Sequence, residues 1–169
     1  MFAALHPIVI HFAIALLVVG PAMDTLGLLL RRESLLLAGR WNALLGAAML
    51  ALAELSGLAA NAGLGLHSAA GQALLNLHAA LGHLCVALWI PVALWRGLAG
   101  PLIPVRARTL HLTLSYIGAA LIISEAVLGE ALIYRHGVGL SAAARAEPML
   151  EKPSAPTVID HPSLGPPKN

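Results

Sequence analysis

The side chains in this sequence with the most chemistry to offer are its histidines, eight in 169 residues. An imidazole can bind a metal, take an axial position on haem iron, or change charge near neutral pH. Two pairs repeat one spacing: His6 and His11 in HPIVIH, and His78 and His83 in HAALGH. Five residues along an α-helix turn through about 500°, which leaves the two rings of a pair about 140° apart. The members of a pair therefore do not share a helix face. This is not the HxxxH spacing that clamps one ion from one helix. Neither segment contains Cys, Asp, Glu or Met, the ligands that usually join histidine at a bare metal site.

Four acids interrupt apolar stretches: Asp24, Glu54, Glu125 and Glu130. If those stretches lie in lipid, each acid is expensive and marks a functional position by default. Glu54 and Glu125 fall at mid-depth or above, where they could be protonated and hydrogen-bonded or form a proton path. Asp24 is expected to pair with Arg31 or Arg32 by snorkelling. Glu130 has Arg135 within reach as a partner.

The elements that must position these residues are membrane helices. Hydrophobic residues make up 59% of the chain and charged residues 11%, against about 25% charged in an ordinary soluble domain. The apolar residues form four blocks, at about 7–30, 41–62, 77–95 and 109–134. Each is near the ~20 residues a helix needs to cross ~30 Å of hydrocarbon. The alternating short segments of a β-barrel are missing. The fold class expected is all-α, a four-helix transmembrane bundle over 1–140 with an extended Pro-rich C-terminal tail over 141–169. The first block is read as retained rather than cleaved, because no basic region precedes it and it is long enough to span. Frequent small residues in the spans, among them Gly46, Gly57, Gly118 and Gly129, point to close helix packing. Trp41, Trp89 and Trp95 read as interface anchors or packing residues.

Charge between the blocks sets an orientation. Arg31, Arg32 and Arg40 lie between the first two spans, and Arg96, Arg106 and Arg108 between the last two, whereas 61–76 holds no Lys or Arg. The positive-inside rule places the arginine loops in the cytoplasm and both termini outside, in the periplasm of a bacterial inner membrane. Six of the eight histidines then gather toward the periplasmic face, leaving His111 on the cytoplasmic side and His161 in the tail. The bundle offers the tail little surface, so the tail is expected to lie against other subunits of a membrane complex. A formal charge of +2 without a basic, aromatic-laced patch disfavours nucleic acid. The lone Cys85 excludes an intrachain disulfide. Hydrolase, nucleotide-binding and CxxCH haem-attachment motifs are lacking.

The opening HPIVIHFAIALL and the close LGEALIYRHGVGL resemble the DUF2231 family of small bacterial membrane proteins. Its members show an HPxxVHFPIAL-like opening and a GGxLVYRHGVGV-like close. The likeness runs from about Leu5 to Leu140, and His6, His11, Arg135 and His136 match its motifs. Ala13 stands where the family often has Pro, and Glu130 where it often has Gly. The resemblance implies four helices and the histidine motifs, and brings no assigned chemistry.

From the histidines themselves the leading expectation is a haem b-binding membrane cytochrome subunit. It would exchange electrons near the periplasmic face with a periplasmic redox protein or quinone. His11 and His83 are the first choice as axial ligands of the haem iron. His6 and His78 are the second choice, for the same haem or a second one, with Arg135 and His136 meeting propionates. Two alternatives stand beside it. One is a metal-ion handling or transport protein for copper, zinc or iron, using the same histidines with Glu54 and Glu125 as the way inward. The other is a non-catalytic accessory subunit with no cofactor.

Overall fold

The structure, a computed structural model, describes residues 5–62, 64, 68–100, 102–103 and 105–139. The expected tail, His67 and His161 lie outside the described residues. Four long helices account for nearly all the rest: α1 (His6–Leu30), α2 (Glu33–Asn61), α3 (Ala69–Leu98) and α4 (Arg108–His136), the last entered through a 3₁₀ turn at Val105–Ala107. All four are long and apolar enough to cross a bilayer.

The helix ends follow from local chemistry. Pro7 sits in the first turn of α1, where its missing N–H leaves no bond unmade. Arg31 ends α1 in the left-handed conformation, with its N–H returning to the Gly27 carbonyl. Arg32 then starts α2 directly, and Glu33 lies in that helix's first turn, where the positive end of the helix dipole favours an acid. Ser68 caps α3, its hydroxyl accepting from the Gly71 N–H at 3.1 Å. Gly137 closes α4 at φ 60°, a backbone state glycine adopts without strain. Beyond it, Val138 folds back on Leu75 and Leu132.

The helices outrun the apolar blocks. α2 begins eight residues before Trp41 and α3 eight before Leu77, because the polar residues there are acceptable helix formers that the search for apolar runs passes over. Much of the stretch read as an outer loop is thus the first two turns of α3.

α1 packs against α2 and α4, and α3 packs against the same two, so α1 and α3 lie diagonally across the bundle. Each helix buries one narrow stripe and presents leucine, isoleucine and valine outward, as lipid requires. The central layer joins Leu17, Leu50, Cys85, Trp89 and Ile122. Trp89, 1% exposed, is a packing residue rather than an interface anchor. Its indole packs on Gly118, where a Cβ would stand 2.7 Å from the ring. Leu17 lies on Gly46 in the same way.

Candidate functional site

The apolar middle layer separates two polar layers, one near each end of the bundle. At the end holding the α1 N-terminus, His6 continues the buried stripe of α1. Its Nδ1 is 2.8 Å from the Ala53 carbonyl oxygen on α2 and 3.3 Å from the Ser56 hydroxyl, which itself donates to Ala53. Nδ1 therefore carries the proton that Ala53 accepts, which leaves Nε2 as the free lone pair. The ring rests against Gly57.

His78 on α3 repeats this arrangement against α4. Its Nδ1 is 3.2 Å from the Glu125 carbonyl oxygen, and its ring rests against Gly129. Its Nε2 is 3.4 Å from the Glu125 carboxylate oxygen Oε1. Glu125 is 4% exposed, and its second oxygen, Oε2, has no hydrogen-bond partner. Glu54 reaches the same region from α2. A Cβ on Gly82 would stand 3.2 Å from one Glu54 oxygen and 3.9 Å from Glu125 Oε1, so the glycine makes room for both carboxylates.

His11 and His83 lie off the buried stripes and are exposed. The His11 ring turns back to the Pro7 carbonyl of its own helix. His83 meets Glu54 at 3.1 Å, with its side chain 60% exposed. Arg135 is exposed and His136 half-buried; they line the rim of a groove between the ends of α3 and α4. Glu130 and Arg135 share that groove, but they form no ion pair among the described residues. His6, His78, Glu54 and Glu125 thus come together at one end, while His11, His83, Arg135 and His136 sit at its periphery. Among the described residues no group of three or more His, Cys, Asp or Glu side chains is arranged to hold a metal ion.

The other polar layer went unrecognised in the sequence. Asp24 does not pair with Arg31 or Arg32. It lies in the centre of the bundle, 1% exposed, and bonds Arg96 of α3 and His111 of α4. Arg96 Nη2 is 3.0 Å from Asp24 Oδ1, and His111 Nε2 is 3.1 Å from Oδ2. Arg96 also donates to the carbonyls of Leu36 at 2.6 Å and Gly100 at 2.9 Å, so all four helices or their ends are tied here. The Trp95 and His111 rings meet edge to face at a centroid distance of 5.8 Å. Gly39 lets α2 approach closely enough to seal the carboxylate from lipid. Arg96 gave no signal by itself, since an arginine at the end of a span beside two others reads as interfacial.

These features define a class: a four-helix membrane protein whose bundle encloses a histidine–carboxylate layer near one end and a sealed ion-pair layer near the other. The model of the DUF2231 family, described as a predicted membrane protein, matches residues 3–142, and the chain belongs to that family. No curated protein and no solved structure matches the chain.

Proposed function

We propose that this protein is a membrane electron-transfer subunit that holds haem b between His6 and His78. The observation that carries this reading is the matched setting of the two rings. Both lie on the inner stripes of diagonal helices, and both have Nδ1 anchored to a backbone carbonyl of the following helix. A carbonyl on Nδ1 fixes the ring and makes Nε2 the more basic ligand, which is the support metal-bound histidines commonly have; on His78 that nitrogen faces Glu125 Oε1 at 3.4 Å, a contact that iron would displace. Gly57 lies against the His6 ring and Gly129 against the His78 ring, small neighbours of the kind a flat macrocycle requires. The cofactor would supply one-electron redox chemistry, and these residues would supply ligation and the apolar walls. Burial favours His6 and His78 over the more exposed His11 and His83 as the ligand pair. Arg31, Arg32 and Arg106 remain exposed at the opposite end, which supports an inner-membrane orientation with the histidine layer toward the periplasm.

A second reading rests on the unpartnered Glu125 oxygen. His83, Glu54 and Glu125 step from an exposed to a buried position, a line along which a metal cation entering from that end would pass from one side chain to the next rather than be held by all three at once.

The test is a visible spectrum of detergent-purified protein, produced with ample haem, before and after dithionite, with a pyridine haemochrome assay for stoichiometry. A sharp reduced α-band that His6→Ala and His78→Ala abolish, and that His11→Ala and His83→Ala leave in place, is the expected result. A featureless spectrum refutes the haem reading, and bound metal in that same preparation would favour the cation reading.

A further inference from the structure

The likeness of His6 to His78 extends through the whole bundle. Residues 72 positions apart are the same at His6 and His78, His11 and His83, Gly46 and Gly118, Ala47 and Ala119, and Gly57 and Gly129. The burial pattern repeats with the same offset along the central turns of the helices, while Gly27, Leu36, Ser56, Gly82 and Leu132 have half-buried counterparts. α1 buries positions 13, 17, 20, 21 and 24, and α3 buries 85, 89, 92, 93 and 96. α2 buries 39, 43, 46, 47, 50 and 53, and α4 buries 111, 115, 118, 119, 122 and 125. Individual contacts repeat too. Leu17 lies on Gly46 as Trp89 lies on Gly118, and His6 bonds the Ala53 carbonyl as His78 bonds that of Glu125. The packing of α2 on α3 has its counterpart in α4 on α1. These equivalences describe two copies of one helical hairpin, related by a two-fold axis along the bundle.

A residue that touches its own counterpart across such an axis must lie beside the axis. Asp24 and Arg96 are 72 residues apart and 3.0 Å from each other. Were the bundle two identical hairpins, this buried position would set Asp against Asp or Arg against Arg. Two like charges sealed from water and lipid would repel without relief. The counterpart pair Gly39 and His111 is asymmetric in the same sense, because His111 adds a second bond to Asp24 where Gly39 only clears space.

We infer that the membrane domain is one helical hairpin duplicated within the chain, and that Asp24 and Arg96, facing each other beside its two-fold axis, make the first hairpin select the second rather than another copy of itself. The pair also fixes the axial register of α1 against α3, which keeps His6 and His78 at one depth. This inference stands independently of any cofactor.

Two experiments on the full chain test it. The first uses spin labels on exposed positions in a Cys85→Ala background, the substitution that restores the alanine found at the counterpart, Ala13. The axis makes the distance between positions 12 and 127 equal to that between 84 and 55. Matching distance distributions in lipid support the duplication, and distributions that do not overlap overturn it. The second is a charge exchange. Asp24→Arg and Arg96→Asp should each abolish recovery of monodisperse protein from membranes, and Asp24→Arg with Arg96→Asp should restore a substantial part. The two-fold places the carbonyls of Leu28 and Arg108 where the moved arginine needs them. Adding Gly39→His and His111→Gly should restore more. If neither combination recovers better than the single variants, the pairing role is wrong, whatever the label distances give.

Discussion

Gly39→Ala probes how rigidly the buried ion-pair layer is built. An added Cβ would stand 2.7 Å from the Asp24 carboxyl carbon and 3.1 Å from the Gly20 carbonyl oxygen. The carboxylate cannot swing aside freely, because Arg96 and His111 hold both of its oxygens. Either α2 moves away from α1 or the bonds to Asp24 lengthen. Overpacking of this kind and the weakening of a charge-assisted bond together cost about 2–4 kcal/mol. Gly20→Ala at the same helix crossing is the control, since its Cβ would meet Asn42 and Gly39 only at 3.4 and 3.6 Å, ordinary contact distances. Both substitutions gain the same helical preference, about 1 kcal/mol, so their difference isolates the contact with Asp24. The assay is reversible unfolding in mixed micelles of a mild detergent and sodium dodecyl sulfate, followed by helicity. Gly39→Ala should be the less stable of the two by about 2–4 kcal/mol. A difference below about 1 kcal/mol would mean that the carboxylate yields easily, and the reasoning from a pinned ion pair would fail.

Other outcomes follow from the same geometry. Gly118→Ala forces a methyl group into the rigid Trp89 indole and should cost about 1–3 kcal/mol, whereas Gly46→Ala meets the more flexible Leu17 side chain at 2.6 and 2.8 Å, with Leu16 Cβ at 3.1 Å, and should cost less. Equal losses in the same unfolding assay would count against the difference in stiffness. Glu125→Met combined with His78→Leu replaces the buried carboxyl, its unpartnered oxygen and the imidazole it faces by apolar chains, and should leave stability unchanged or raise it by about 1–3 kcal/mol. A fall in melting temperature would show instead that the contact with His78 holds the bundle together.

Composition and apolar block length were enough to establish four membrane-crossing helices, because lipid leaves a spanning chain no other way to satisfy its backbone. The short motifs at the two ends were enough to indicate the family. The matched spacing of His6 and His11 with His78 and His83 gives the two pairs the same rise and rotation along their own helices, since that follows from helical geometry alone. Which member of each pair faces inward was a tertiary matter. The stripe each helix buries is set by its neighbours, and with leucine and alanine on every side of these helices the sequence carries little amphipathic signal. For the same reason Arg96 and His111 could not be assigned to Asp24: residues separated by 72 and 87 positions meet only because α1, α3 and α4 converge on one axis. An intramembrane acid announces in the sequence that a partner must exist, because an unpaired charge there is untenable. Only the packing of the helices decides which residue that partner is.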